Sequence, residues 1–282
     1  MEKYHVLIGC NGMDNGSVSL SAEISALLRS DGMTPCSVSE SLCSTIGTDH
    51  VCSIEDCTHV VTVGGDGTII KWGKEAARYG IPLLGVNKGR LGFMATVEPS
   101  DIQRIPSLLS APPTISRRML MDCELVRKDG SILSKKVLND VVISRDSTSK
   151  LPEFAVRCNE HEVSRLRADG VIFSTPTGST AYSLSAGGPI IAPDMECIEF
   201  TALCPHTLFN RPMLFSASQV VSVCCTNYQS SRVTVSIDGE SGIAFGDGDI
   251  LRLSRSELTL SLIESGEGFF GAVRNKLMTP LK

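Results

Sequence analysis

The stretch "VVTVGGDGTIIKWG", Val60 to Gly73, decides how this chain folds. A run of apolar and β-branched residues stops at two glycines. An aspartate and a third glycine follow, and then a segment with helical spacing. A strand that feeds a glycine loop and then a helix is a phosphate cradle: Gly64, Gly65 and Gly67 carry no Cβ, so backbone N–H groups approach an anion closely. The helix that follows points the positive end of its dipole at the same anion. Asp66 is the odd member, because a bare carboxylate beside phosphates is repulsive. Two roles remove the difficulty: it holds Mg²⁺ against the phosphates, or it accepts a proton from an attacking hydroxyl. Both belong to phosphoryl transfer. The loop is neither a G-x-x-x-x-G-K-[ST] nor a G-x-G-x-x-G, so it is not a standard P-loop or dinucleotide fingerprint.

Around this loop, short apolar strands alternate with helices. "YHVLIG", "PCSVS", "THVVTVGG" and "IPLLGVN" read as strands. In "GSVSLSAEISALLRSDG", Leu20, Ile24, Leu27 and Leu28 fall at helical spacing, with Ser17 as a candidate cap and Gly32 as a stop. "TIIKWGKEAARYG" is a second helix ending at Gly80. Apolar strands alternating with helices indicate a parallel sheet covered on both faces. "EPSDIQRIPSLLSAPP" closes this half, with Ser100 and Gln103 at capping-box spacing. Pro112 and Pro113 form a hinge.

Beyond the hinge the texture changes. Met119, Met121, Cys123 and Leu125 occupy alternate positions, Asp129-Gly130 supplies a hairpin turn, and Val233, Val235 and Ile237 repeat the alternation. Residues 1–112 are therefore expected to form an α/β domain with a parallel, Rossmann-like sheet. Residues 113–264 are expected to form a mainly β domain, with the 265–282 tail packing back on the first.

Composition narrows the function. Of 282 residues, 42% are hydrophobic and 20% charged, within the range of packed globular chains. The net charge of −5 speaks against a nucleic-acid surface built on bulk positive charge. No signal peptide and no apolar run of membrane-spanning length is read, so the chain is expected in the cytoplasm without a membrane partner. The eleven cysteines have no C-x-x-C pair and many sit in apolar runs, including Cys123, Cys204, Cys224 and Cys225. They read as buried reduced thiols, and with no H-x-x-x-H pair among five histidines no structural metal site is expected.

"RADGVIFSTPTGSTAYSLSAGGPI", Arg167 to Ile190, crowds Ser174, Thr175, Thr177, Ser179, Thr180, Tyr182, Ser183 and Ser185 beside Gly178, Gly187 and Gly188. Such a segment wraps a polar ligand with neutral donors and acceptors, and Tyr182 offers a ring for stacking on a base or ribose. A serine hydrolase is disfavoured because G-x-S-x-G is absent and no triad partner presents itself. In "VLNDVVISR", Asn139 and Asp140 interrupt strand-like sequence, as a bulge or as a binding site for ribose hydroxyls.

Taken in order, "GGDGT" (64–68), "NKGRLGF" (87–93), "LND" (138–140), "ADGVIFSTPTGSTAYSLSAGGPI" (168–190) and "CPHTLFNRP" (204–212) resemble the bacterial NAD kinases. The resemblance implies transfer of a phosphoryl group from ATP or another donor to the 2′-hydroxyl of the adenosine ribose of NAD, giving NADP. It implies an N-terminal α/β and a C-terminal β domain, a divalent metal such as Mg²⁺, and a homodimer or homotetramer. By motif, Asp66 is the implied general base, with Gly64, Gly65, Gly67 and Thr68 as the phosphate loop and Lys71 as a nearby cation. Asn139 and Asp140 match the pair on the ribose or adenine. Arg167, Asp169, Thr177 and the run Thr180, Ala181, Tyr182, Ser183, Leu184, Ser185 match the segment around NAD, and Phe93 lines the same pocket. Asp238 and Glu240 lie in the "SIDGES" motif, where Glu240 replaces an expected glutamine. Two alternatives remain at this point: a lipid kinase of the GGDGT superfamily, and a non-catalytic dinucleotide sensor.

Overall fold

A computed structural model describes residues 4–88, 92–146, 150–208, 210–226, 232–266 and 268–278. Gly89 to Leu91 of the "NKGRLGF" motif, Phe209 of "CPHTLFNRP" and the last four residues of the tail lie outside them. The elements run β1 (His5–Cys10), α1 (Asn15–Ser30), β2 (Thr34–Ser37), α2 (Glu40–Ile46), β3 (His50–Val51), β4 (His59–Val63), α3 (Asp66–Tyr79), β5 (Leu83–Val86) and α4 (Ile105–Ser110). There follow β6 (Ile115–Val126), β7 (Ile132–Val137), β8 (Asp140–Arg145), β9 (Glu153–Cys158), β10 (His161–Arg167), β11 (Gly170–Ser174) and α5 (Tyr182–Ser185). The chain continues through β12 (Cys197–Leu203), β13 (Met213–Ser216), β14 (Val221–Thr226), β15 (Val233–Ile237), β16 (Ile243–Phe245), β17 (Ile250–Ile263) and α6 (Gly268–Val273). Among the described residues, no helix is long and apolar enough to cross a membrane.

The chain divides into two compact units, one up to Arg117 and again from Leu258, the other Arg118–Glu257. The first carries a parallel sheet in the order β17-β5-β4-β1-β2-β3. Its central strands β1, β4 and β5 are largely apolar and buried because both faces are covered. One face packs Val6, Ile8, Val61 and Val63 with Ile24 and Leu28 of α1 and Ile105 and Leu109 of α4. The other takes α3. A Cβ on Gly9 would lie 2.5 Å from the Trp72 indole, and one on Gly85 would lie 2.6 Å from Ile69 Cδ1, so bare backbone at both points lets α3 lie close. Chain order reverses between β1 and β4, and in open α/β sheets ligands bind at the carboxyl ends of the strands at such a switch point. The glycine loop leaves the carboxyl end of β4 there.

Two helix caps differ from the sequence reading. Asp14 stands at the N-cap position of α1 without a side-chain cap hydrogen bond to the helix backbone, and Ser17, one turn in, is buried and donates its hydroxyl to the Asp14 carboxylate. Ser100 and Gln103 sit in a 3-10 turn, Pro99–Arg104, with no side-chain cap. Gly80, at φ 67°, ends α3 as expected. The tail forms α6 and a single π turn, Arg274–Met278.

The second unit is antiparallel. One sheet runs β10-β9-β14-β17, with the β6–β7 hairpin beside β17; the other runs β13-β12-β11-β8-β15-β16. Met119, Met121, Cys123 and Leu125 of β6 and Val233, Val235 and Ile237 of β15 all enter one core, as period-2 alternation requires.

The cysteines correct the sequence reading in part. Cys36 and Cys52 form a disulfide, and Cys204 is exposed. Cys123 and Cys225 are buried as expected, and burial pushes both thiols up to about 12.

Candidate nucleotide site

In the first unit the site begins at the Gly65 end of α3. Gly64 needs its missing side chain: a Cβ there would sit 2.4 Å from Thr68 Oγ1, so the final threonine of GGDGT closes against the first glycine. Asp66 is the first residue of α3, where an acid complements the helix dipole. Its Oδ2 accepts the Phe93 N–H at 3.1 Å and its Oδ1 the Met94 N–H at 3.3 Å. Gly92, which the sequence reading passed over, makes this possible: its Cβ would fall 2.1 Å from Asp66 Oδ1. The carboxylate is thus aimed by backbone and keeps lone pairs for another partner. Lys71 is exposed on α3, its Nζ 5.9 Å from the Trp72 ring centroid. The Phe93 ring lies 6.5 Å from that of Phe269 of α6, tilted by 48°, and Lys276 Nζ sits 4.6 Å over the Phe93 ring.

In the second unit, strands β8 and β15 and the start of α5 build a pocket of about 430 Å³. Alternation explains its floor. Val141 and Ile143 of β8 turn into the core, so Asp140, Val142 and Ser144 take the opposite face. On β15, Ser236 does the same between Val235 and Ile237. Asn139, Ala181, Tyr182, Asp238 and Gly239 complete the lining.

In the "LND" segment, Leu138 and Asn139 form a bend rather than strand, and Asp140 opens β8 opposite Ser174. Asp238 adopts φ 49°, and its carboxylate accepts the N–H groups of Leu138 at 3.1 Å, Asn139 at 2.8 Å and Asp140 at 3.3 Å. The Thr175 hydroxyl donates to the Leu138 carbonyl, and the Thr175 N–H donates to the Asn139 carbonyl. Asn139 Oδ1 is buried without a hydrogen-bond partner, an acceptor at the pocket. Burial first, and then the Asp238 carboxylate, push Asp140 up to about 6, while the Tyr182 N–H pulls it down. Tyr182 keeps 48% of its surface exposed, so its ring is free to stack.

The remaining sequence candidates separate. Ser183 does not face the pocket. Its hydroxyl donates at 2.6 Å to Glu199, a fully buried acid on the outer face of β12 that also takes the Thr201 hydroxyl at 3.0 Å. This contact pins α5 to the sheet, and burial pushes the Glu199 carboxyl up. An acid inside the alternating run "CIEFTAL" was the available signal for Glu199. Thr177 is buried, Thr180 and Leu184 are half-buried, and Ser185 is exposed at the end of α5. Asp169 is bound to Arg145 Nε at 2.8 Å, and Arg167, at the end of β10, lies 3.8 Å from Glu153. Glu240 is exposed past the Asp238 turn, its N–H on the Ile237 carbonyl. None of these seven residues lines the pocket.

Comparison with known proteins adds independent findings. Residues 21–112 match the family model described as ATP-NAD kinase N-terminal domain, and residues 138–265 match the ATP-NAD kinase C-terminal domain. The chain is 38% identical over 237 residues to the NAD kinase of Acetivibrio thermocellus, covering 83% of this chain and 81% of that protein. It is 38% identical over 220 residues to the NAD kinase of Trichlorobacter lovleyi, covering 77% of each. The fold is similar to that of yeast NADH kinase complexed with NADH, with a TM-score of 0.86 at 21% identity, covering 99% of this chain and 89% of that one. It is also similar to an NAD kinase from Archaeoglobus fulgidus in complex with ATP, with a TM-score of 0.73 at 25% identity, covering 96% and 98%.

Proposed function

The chain belongs to the ATP-NAD kinase family, and from that premise we propose that it transfers a phosphoryl group from ATP to the 2′-hydroxyl of the adenosine ribose of NAD. The observation that carries this reading is that both family models match in one chain, across the Asp66 loop and the Asp140–Tyr182 pocket. Asp66 accepts the proton of the attacking hydroxyl. The amides of Gly65 and Gly67 at the start of α3 hold phosphate, while the Thr68 N–H is taken by the Gly65 carbonyl at 2.9 Å. Asn139 and Asp140 hydrogen-bond the ribose or adenine, Tyr182 stacks on the base, and Asp238 and Ser183 act by positioning.

A divalent cation suits the loop in one way only. Asp66 is the one carboxylate between Gly64 and Gly73, so an ion such as Mg²⁺ would be held chiefly by phosphate oxygens and water, with Asp66 as the protein ligand. Bound there, it neutralises phosphate charge. The same reading implies a cytoplasmic enzyme and a homodimer or homotetramer, and light scattering on the purified chain tests the assembly. For the activity, protein is mixed with ATP, Mg²⁺ and NAD, and NADP is read by an NADP-specific dehydrogenase. NAD binding without NADP formation would make it a sensor instead.

Replacing Tyr182 with alanine removes one stacking surface, about 1–3 kcal/mol per base. The KM for NAD should rise by about 5–150-fold while the KM for ATP changes little; equal rises in both would place the ring elsewhere.

Asp140 makes a pH prediction. Its folded pKa of about 6 lies above an unfolded value of about 3.9, so the native state binds the proton more tightly. The free protein should therefore gain stability as pH falls from about 6 toward about 4. NAD affinity should move the other way, weakening as the ionised acceptor is lost through about pH 6. Both trends should flatten in Asp140→Asn, followed by thermal melts and NAD titration. An NAD affinity flat between pH 5 and pH 7 would remove Asp140 from the contact.

A further inference from the structure

Three cysteines converge in the first unit, away from the glycine loop. Cys36 lies in β2, Cys52 directly follows β3, and Cys57 ends the 3-10 turn Ile54–Asp56 just before β4. Cys36 and Cys57 are buried and Cys52 is half-buried. Cys57 Sγ stands 3.6 Å from Cys36 Sγ and 3.6 Å from Cys52 Sγ, beside the bonded pair. Among the described residues this is the one group of three His, Cys, Asp or Glu side chains able to hold an ion.

Equal distances decide between two uses of the third sulfur. Exchange with a disulfide needs a thiolate in line with the bond, nearer one sulfur than the other. Cys57 is equidistant, so it is not aimed for exchange. Tetrahedral zinc with Zn–S bonds of about 2.3 Å sets neighbouring sulfurs about 3.8 Å apart, close to both Cys57 spacings. Cys52 and Cys57 have C-x₄-C spacing, within the range that zinc sites use, and the partner sulfur comes from an adjacent strand. Three soft thiolates select Zn²⁺ over Mg²⁺. Glu55 and Asp56, in the connecting turn, add negative field.

The geometry points to a zinc site: we propose that the reduced protein binds one Zn²⁺ through the thiolates of Cys36, Cys52 and Cys57, with water in the fourth position. A cellular dithiol supplies two electrons and two protons to the Cys36–Cys52 bond and becomes a disulfide. Zn²⁺ then displaces the three S–H protons. The reducing setting rests on the proposed intracellular function, because disulfides seldom persist there and clustered cysteines more often hold metal. The ion would tie β2 and the β3 turn to the start of β4. Asp66 lies past the other end of that strand, whose five residues alone span about 17 Å. Zinc should therefore stabilise the fold and leave phosphoryl transfer unchanged.

The test uses the full chain without nucleotides, so its failure is distinct from failure of the kinase reading. Protein is reduced with a phosphine, desalted without air, and titrated with Zn²⁺ against a chromophoric chelator, with stoichiometry read by native mass spectrometry. One Zn²⁺ per chain is expected, with affinity more than about tenfold weaker in Cys57→Ser and unchanged in Cys204→Ser. Zn²⁺ should also shield Cys36, Cys52 and Cys57, but not Cys204, from alkylation in the unmodified protein, a readout independent of how any variant folds. No stoichiometric binding, unaltered binding in folded Cys57→Ser, no shielding, or a Cys36–Cys52 bond that resists reduction in the folded chain would each overturn the site.

Discussion

Asp66→Asn should lower kcat for NADP formation by about 10²–10⁴-fold, the range that one general base contributes. Asparagine keeps the shape of the carboxylate and the end of α3 but cannot take a proton from an alcohol. The carboxylate is oriented by the Phe93 and Met94 N–H groups, so the loss is chemical as well as geometric. An amide turned to meet one of those donors presents its own NH₂ toward the other. NAD binding should survive, because Asn139, Asp140 and Tyr182 are untouched. NADP production in the coupled assay and NAD affinity by calorimetry separate the two effects. A variant that retains activity within a few-fold would remove Asp66 from proton transfer.

Gly178→Ala carries the second large effect. A Cβ at Gly178 would lie 2.2 Å from the Asn139 carbonyl oxygen, 2.5 Å from its carbon and 2.7 Å from its Cα. All three are backbone atoms, so no flexible side-chain end can yield. Either the "TPTGSTAY" turn or the "LND" segment must move, and the Thr175 bonds that join them are the first lost. Overpacking of this kind costs about 1–3 kcal/mol. The KM for NAD should rise by more than about tenfold, since misplacement of a contact by about 1 Å can cost about 10²-fold. Melting temperature and KM should change together. A variant with wild-type KM would mean that Asn139 does not contact NAD.

The difference between the two sites lies in the range of the interactions that build them. Around Asp66 the determinants are local: an apolar strand, three glycines within four residues and a helix that starts at once, so the loop, its anion preference and the odd carboxylate are all legible in "VVTVGGDGTIIKWG". The period-2 pattern in β6 and β15 likewise marks an antiparallel half, because alternation sorts side chains between core and outer face whatever the neighbours are. Which outer-face residues share a pocket is not a local property. Asp238 reaches Asn139 across 99 positions and Ser183 meets Glu199 across 16, through strand pairings that no window of sequence contains. Motif order grouped Ser183 and Tyr182 together. The sheet beneath α5 separates them, drawing the serine hydroxyl down to a buried acid while the ring stays exposed. Cys36 and Cys57 are brought within 3.6 Å by the parallel ladders of β2, β1 and β4, contacts made only when chain segments 21 residues apart pack into one sheet.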